Sequence, residues 1–300
     1  MKENRILIRN LNKFYGSKQA IYELNLTIKQ GMFGLLGRNG AGKTTLMKTL
    51  ATLLNKKSGE ISICGVPIEN AKEIRKIIGY LPQDFSMYPS MTVAEVMDYL
   101  GILSGMSSDL RKEKISVLLK KVNLSEHSSK KVKTLSGGMK RRLGIAQALL
   151  HNPKVLIVDE PTAGLDPEER IRFRNLLCEI AEDKIVILST HIVGDIEATC
   201  EDIAILNDGK LLYNGTVNDL LKLAKGNIYT TTVSKKEIPA IKQNYIVTGM
   251  LTTGNSCNVR FVSIDIPNIK ADVCEPNVED AYMLCLHQNG VEKHTLGGEL

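Results

Sequence analysis

The eight residues 37–44 have the types and spacing that bind phosphate groups. They read Gly-Arg-Asn-Gly-Ala-Gly-Lys-Thr, which is the pattern of a phosphate-binding loop. Glycine lets the backbone wrap closely around an anion with its N–H groups pointing inward. Lys43 can reach the outer phosphates, and the Thr44 hydroxyl can hold Mg2+. The predicted nucleotide contacts are Gly37, Arg38, Asn39, Gly40, Ala41, Gly42, Lys43, Thr44 and Thr45.

Two adjacent acids form a second group of candidate residues. The apolar run 155–158 ends in Asp159 and Glu160. The first acid suits a direct or water-mediated contact with Mg2+. The second suits a base that orients water against the γ-phosphate of a nucleotide. Together with the loop, they predict a site for phosphoryl transfer.

A further helix start, at Ser136, Gly137 and Gly138, can also present N–H groups to an anion. One nucleotide does not need two such cradles from the same chain. The simplest use of the second cradle is a second nucleotide face, which predicts a symmetric head-to-tail pair of copies with a nucleotide between them.

The elements that carry these residues indicate an α/β protein. Residues 1–30 alternate apolar and polar side chains, as half-buried antiparallel strands do. The runs 155–158 and 185–188 are continuously apolar, which is typical of parallel strands buried on both faces. Residues from about 90 to 150 have helical spacing, beginning with a Thr92–Glu95 capping box.

Composition narrows the class of protein. The chain has 300 residues, a net charge of +6 and six cysteines without a Cys-x-x-Cys pair, which favours free thiols in a reducing cytosol. No apolar run is long enough for a bilayer-spanning helix, and the N-terminus does not read as a signal peptide. The modest charge is typical of surface lysines, and no basic run is interleaved with aromatics, so we expect no nucleic-acid partner.

In this order along the chain, the motifs resemble the ATP-binding cassette (ABC) ATPase family. The resemblance rests on the phosphate loop, residues 135–139 (Leu-Ser-Gly-Gly-Met), the two acids, residues 164–166 (Gly-Leu-Asp) and residues 189–191 (Ser-Thr-His). It spans roughly residues 5–215. Met139 stands where the family most often has glutamine, and with residues 79–83 and 278–282 it favours the subgroup of drug, peptide-antibiotic or ABC-2 type exporters.

The resemblance implies roles for the remaining site residues. Tyr15 matches the aromatic that stacks on adenine, and Gln83 matches the glutamine that touches Mg2+ and senses the γ-phosphate. Ser136 and Gly138 match residues that grip the γ-phosphate of the opposite copy. The implied cofactors are ATP and Mg2+, the latter held by Thr44, Gln83 and Asp159.

Two further roles follow from the same resemblance. Asp166 matches the aspartate that links the two ATP sites, although Pro167 and two glutamates after it also suit a helix cap. His191 matches the switch histidine that contacts the γ-phosphate. The implied catalytic residues are Lys43, Gln83, Glu160 and His191.

The predicted fold is a phosphate-loop NTPase core with an N-terminal antiparallel β subdomain and a helical signature subdomain, plus a small C-terminal α+β domain. We predict an ABC ATPase domain at 1–226, with the helical subdomain at about 90–150. An accessory domain follows at 227–288, reading strand, helix, two strands, helix, and 289–300 is a disordered tail.

The implied partners are a second cassette, with a homodimer favoured over a heterodimer, and an integral membrane permease. The permease would dock near Phe85, Met87 and Tyr88, although these side chains also suit a small satellite core. The implied location is cytoplasmic, peripheral on the cytoplasmic face of the membrane.

Two other classes of function stay open at this point. One is an ABC ATPase that acts on DNA or ribosomes without transport. Residues 84–135 leave no room for the long coiled coil of the DNA-repair members, and one phosphate loop contrasts with the paired cassettes of translation factors. The other is a regulatory switch in which the chain after 227 binds a ligand or partner.

Overall fold

The computed structural model describes residues 4–290. The strands are, in chain order, β1 (Arg5–Tyr15), β2 (Lys18–Lys29), β3 (Gly31–Leu36), β4 (Ser58–Ile63), β5 (Val66–Pro67), β6 (Ile78–Leu81), β7 (Val155–Asp159), β8 (Ile185–Thr190), β9 (Asp202–Asn207), β10 (Lys210–Thr216), β11 (Ile228–Ser234), β12 (Ile246–Thr253), β13 (Ser256–Val262) and β14 (Asp272–Val273). The α-helices are α1 (Lys43–Leu50), α2 (Ala71–Ile77), α3 (Val93–Leu103), α4 (Ser108–Lys121), α5 (Gly137–Leu149), α6 (Pro167–Ala181), α7 (Val193–Thr199), α8 (Val217–Ala224), α9 (Ile238–Asn244) and α10 (Val278–Gln288).

Four parallel strands position the nucleotide motifs, in the order β3-β8-β7-β6. Every residue of β7 and β8 is buried, as the continuous apolar runs predict. The register pairs Asp159 with Ser189. Because parallel strands end at the same edge of a sheet, the segments that follow β7 and β8 leave side by side.

An antiparallel sheet, in the order β2-β1-β4-β5, forms the N-terminal β subdomain. Ile6, Ile8 and Leu11 of β1 are buried. The alternation of apolar and polar residues therefore covers one face of the sheet. This sheet carries Tyr15 at the end of β1.

The helical subdomain contains α3, α4 and α5. Its first helix has the predicted capping box: the Glu95 amide donates to Thr92 Oγ1 at 3.2 Å, and the Thr92 amide donates to Glu95 Oε2 at 2.7 Å. At the start of α5, Ser136 is the N-cap and its Oγ accepts from the Met139 amide at 3.2 Å.

The chain divides into two compact units. One runs to Cys200 and includes Leu206–Leu211, and the other contains Glu201–Ile205 and the chain from Leu212 onward. The second unit thus takes in α8, which precedes Gly226, because α8 packs against α10. The boundary at 226 stays a prediction about separable domains.

Within the second unit, the chain from Ile228 to Gln288 has the predicted order of strand, helix, two strands and helix, with the two-residue β14 added. Its sheet order is β12-β13-β11-β14. A core of aromatic and aliphatic side chains lies against it: Tyr229, Ile241, Cys257, Val259 and Phe261. The predicted fold class, including this small α+β part, is confirmed. Of the predicted tail 289–300, residues 291–300 lie outside the described residues.

No helix within residues 4–290 has both the length and the apolar character needed to cross a bilayer.

A buried ion pair joins α10 to the sheet of the second unit. Asp280 is fully buried, and its carboxylate accepts from Arg260 Nε at 2.8 Å and from Thr248 Oγ1 at 2.6 Å. The Asn277 amide, at the start of α10, donates to the same carboxylate at 2.9 Å. A buried carboxylate with these partners fixes the helix at one register on the sheet.

Asp280→Asn should destabilise the second unit, because it removes the negative charge that compensates Arg260. Loss of one partner of a buried pair costs about 3–5 kcal/mol. Arg260 retains 27 % exposure, so we expect about 2–3 kcal/mol, measured by hydrogen exchange of the β13 amides. Glu279→Gln, an exposed acid of the same helix, is the control and should change exchange little. Equal protection in both variants would contradict the prediction.

Candidate functional site

The phosphate loop connects β3 to α1, which begins at Lys43. Gly42 has φ of 102°, a backbone conformation that side chains disfavour. A Cβ there would also lie 3.1 Å from the Ala20 carbonyl oxygen, and a Cβ on Gly37 would collide with the Leu206 carbonyl oxygen. The two glycines that define the pattern are therefore required by close backbone approach.

Lys43 is buried at the centre of this loop. Its Nζ donates to the Gly37 carbonyl at 2.7 Å and to the Arg38 carbonyl at 3.1 Å. It also lies 3.2 Å from Glu160 Oε1. A buried ammonium requires such partners, and oxygens of a phosphate can replace them.

Glu160 lies between Lys43 and His191. Its backbone amide donates to the Ser189 carbonyl at 2.9 Å, and its Oε2 is 2.9 Å from His191 Nδ1. Glu160 is only 6 % exposed, whereas the His191 side chain is 41 % exposed. The structure thus brings together three of the four predicted catalytic side chains.

Asp159 is fully buried at the end of β7, and neither of its carboxylate oxygens has a hydrogen-bond partner among the described residues. Buried unpaired carboxylate oxygens are rare because their desolvation is not compensated. Burial, and then the charge of Asp159, raise the pKa of the Tyr80 phenol. Tyr80 therefore stays protonated beside this carboxylate.

A cavity of about 510 Å³ opens over the loop. Among the predicted nucleotide contacts it is lined by Tyr15, Arg38, Asn39, Gly40, Ala41, Gly42, Lys43, Thr44 and Thr45, together with Gln83 and Glu160. Tyr15 is half exposed at its rim, with its hydroxyl 3.5 Å from Thr45 Oγ1. The cavity combines an aromatic rim with a phosphate-binding floor.

Gln83 is tied to the helical subdomain. Arg141 of α5 donates from Nη1 to the Gln83 carbonyl at 3.1 Å. Burial lowers the pKa of Arg141, while the charges of Asp84 and Glu160 act in the opposite direction. Gln83, which lines the cavity, is therefore connected to α5, the helix whose N-cap is Ser136.

Part of the cavity wall consists of residues that the sequence motifs do not predict. Six further residues line it: Lys18, Gln19, Ala20, Tyr22, Asp208 and Gly209. The last two have φ of 46° and 76°, which is the left-handed geometry of an Asp-Gly turn. The Gly209 amide donates to the Ala41 carbonyl at 3.0 Å. The dipeptide predicts a turn, but nothing in the pattern indicates that the turn contacts the loop.

The structure does not bring Ser136, Gly137, Gly138 and Asp166 to this cavity. Ser136 is exposed as the N-cap of α5. Asp166 Oδ1 accepts from the Glu169 amide at 2.9 Å and caps α6. The helix-cap interpretation of Asp166 is therefore confirmed. Its role between two ATP sites stays a prediction.

A larger cavity, of about 940 Å³, lies in the second unit and is lined by residues of α9, Tyr245 and the segment 262–270. Its lining contains neither a glycine-rich loop nor Asp159 or Glu160. Of these two cavities, the smaller is therefore the candidate nucleotide site, on the chemistry of its lining and not on its volume.

Comparison with known proteins agrees with this geometry. Residues 21–163 match the family model described as ABC transporter. The chain is 32 % identical to the linearmycin resistance ATP-binding protein LnrL of Bacillus subtilis, over 91 % of this chain and 96 % of LnrL. It is 37 % identical to the Nod factor export ATP-binding protein I of Burkholderia orbicola, over 71 % of each chain.

Solved structures give the same result. The dimeric structure of MJ0796, a bacterial ABC transporter cassette, superimposes with a TM-score of 0.64 at 28 % identity, over 70 % of this chain and 98 % of that one. A second structure of MJ0796 is a post-hydrolysis state bound to ADP and Pi, with a TM-score of 0.64 at 27 % identity over the same shares of the two chains. This chain therefore belongs to the ABC transporter family, as an ATP-binding ATPase homologous to those of exporters.

Proposed function

We propose that two copies of this chain close on ATP and Mg2+ and that hydrolysis at their interface powers a membrane exporter. The observation that carries the proposal is the chain of contacts from Lys43 through Glu160 to His191, beside a phosphate loop. The dimeric form of MJ0796 and its state with ADP and Pi support the same cycle. Similarity to the Nod factor export protein supports export, and removal of a compound from the cell is compatible with the linearmycin resistance for which LnrL is named.

The residues around Asp159 fit a magnesium ion. Its two buried, unpartnered carboxylate oxygens are hard ligands of the kind that Mg2+ prefers. Thr44 and Gln83 line the nucleotide cavity and supply a hydroxyl and an amide oxygen. We assign Thr44, Gln83 and Asp159 as the residues that hold the ion. When bound, Mg2+ neutralises charge on the phosphate oxygens.

Glu160 is the general base in this proposal. Its carboxylate contacts Lys43 through one oxygen and His191 through the other. When phosphate oxygens take over the ammonium of Lys43, Glu160 Oε1 becomes available to accept a hydrogen bond from the attacking water. His191 holds the other oxygen, which keeps the carboxylate oriented. Binding of ATP thus prepares the base.

The second copy completes the site. Ser136, Gly137 and Gly138 do not line the cavity of their own chain, and the first two are exposed. The start of α5 can therefore donate to the γ-phosphate held by another copy. Asp166, at the start of α6, would link the two sites. A phosphate that bonds to both copies favours closure, and its release favours reopening.

The membrane subunit would contact a groove beside α3. The groove has a volume of about 400 Å³ and is lined by Ser86, Met87, Tyr88, Pro89, Val96, Leu100 and Gln147. Phe85, which precedes the lining segment, packs against Gly144 of α5, where a Cβ would lie 3.0 Å from its ring. The Tyr88 and Tyr99 rings meet edge to face at 5.3 Å. Gln83 lines the nucleotide cavity and is followed closely by the groove residues 86–89. A short permease helix bound in the groove would therefore be coupled to the ATP site.

We propose that the protein lies on the cytoplasmic face of the membrane. ATP and the reducing conditions that suit six free cysteines are both found there.

Glu160→Gln should spare ATP binding and lower turnover by about 10²–10⁴-fold, because the amide cannot accept the proton of water. Steady-state release of phosphate measures the rate. If the isolated chain is inactive, the complex with its membrane subunit is used. The variant should also accumulate as an ATP-bound dimer, visible by light scattering. Glu197→Gln, an exposed acid on α7, should keep wild-type turnover. Wild-type turnover in Glu160→Gln would exclude it as the base.

Lys43→Ala should weaken ATP binding about 10- to 100-fold, since charged hydrogen bonds are worth about 1.5–3 kcal/mol each. Equilibrium binding of a fluorescent ATP analogue measures the change. Lys48→Ala removes an exposed lysine from the same helix and should bind normally. If Lys43→Ala and Lys48→Ala bind the ATP analogue with equal affinity, the role proposed for Lys43 is wrong.

Met87→Cys should crosslink to an integral membrane protein, because Met87 lines the proposed groove. The exposed Cys178 is replaced by serine in this background. Lys72→Cys, at an exposed position of α2, is the control and should not form the same product. A crosslink from both positions, or from neither in membranes that contain the permease, would contradict the assignment.

A further inference from the structure

A buried carboxylate that has no role in the proposed reaction lies close behind the catalytic residues. Asp195 is in the first turn of α7, four residues after His191, and is fully buried. Burial of a carboxylate is costly unless charged or hydrogen-bonding groups surround it. The partners of Asp195 therefore indicate what its burial achieves.

The first partner is Thr162, whose Oγ1 donates to Asp195 Oδ2. Thr162 is itself only 1 % exposed and lies two residues after Glu160. The bond therefore joins the segment that leaves β7 to the segment that leaves β8. The same segments are also joined by Glu160 and His191, at the solvent-facing end. Of these two connections, the one between Thr162 and Asp195 is buried.

Two arginines of α6 complete the surroundings. Arg174 Nη1 lies 3.6 Å and Arg170 Nε lies 3.8 Å from Asp195 Oδ1, as ion pairs that are too long for hydrogen bonds. Arg174 also donates to the Gly194 carbonyl at 3.2 Å. Since Asp166 is the N-cap of α6, Asp195 in the helix after His191 contacts both the segment after Glu160 and the helix after Asp166.

We infer that Asp195 is a positioning residue for ATP hydrolysis, because its carboxylate holds the Thr162 hydroxyl and so keeps Glu160 and His191 in register. The inference rests on the proposed roles of those two residues. Asp195 does not line the nucleotide cavity and transfers no proton. Its contribution is geometric, and a displacement of about 1 Å at a catalytic group can lower a rate by about 100-fold.

The connection predicts a selective kinetic defect. Thr162→Val retains the shape of the side chain and removes the hydroxyl, and Asp195→Asn retains the shape and removes the charge. We expect each variant to lower kcat about 10- to 100-fold with KM for ATP changed less than about twofold. The double variant should be no slower than the slower single variant, because Thr162→Val already removes the donor of the bond that Asp195→Asn weakens. Thr162→Ser restores the hydroxyl and should recover most of the lost kcat.

Thr199→Val is the matched control. The Thr199 hydroxyl donates to the backbone carbonyl of Asp195 at 2.7 Å, so this variant removes a hydroxyl from the same helix and leaves the carboxylate untouched. It should retain wild-type kcat. If Asp195→Asn does not fold, Thr162→Val and Thr162→Ser decide the question, because neither changes a charge.

The rates are measured on the full-length protein, in a preparation in which the wild-type protein hydrolyses ATP. Wild-type kcat in Thr162→Val would overturn the inference, and so would a loss that Thr162→Ser shares or that falls equally on kcat and nucleotide binding. A fully active Glu160→Gln would instead refute the proposed base. The two failures are distinguishable because they arise from different variants.

Discussion

The need to compensate a buried ammonium controls the arrangement of this site. Lys43 is 4 % exposed, and a buried cation is tolerated only where oxygens surround it. Two loop carbonyls and Glu160 provide them. Phosphate oxygens are stronger partners for an ammonium than neutral carbonyls are. The ammonium that we propose as a phosphate ligand is thus also the group that holds one oxygen of Glu160.

The parallel sheet brings the residues around Lys43 together through short segments at the ends of its strands. Pairing of Asp159 with Ser189 places the two acids beside the segment that carries His191. Both strands are buried along their whole length, which prevents a slip of register, because a slip would expose apolar side chains or bury polar ones. Precision at the site therefore begins with the apolar packing of the strands beneath it.

Features that depend on a few consecutive residues were predictable, and those that depend on distant partners were not. The phosphate loop and the caps at Thr92, Ser136 and Asp166 are local, so their sequence patterns indicate them directly. Asp195 has no such pattern, because its partner Thr162 lies 33 residues away. Likewise, Gly226 marks a local break with φ of 85°, but whether α8 belongs before or after that break depends on its packing against α10.

The two connections between the segments after β7 and β8 differ in a way that bears on regulation of hydrolysis. The connection through His191 is half exposed and depends on a ring that can rotate, whereas the one through Asp195 is excluded from water. Hydrogen bonds strengthen in a region of low dielectric constant, so the buried connection is the more rigid. The Thr162–Asp195 contact therefore limits displacement of the segment that carries Glu160, and small displacements are the range in which geometry controls a rate.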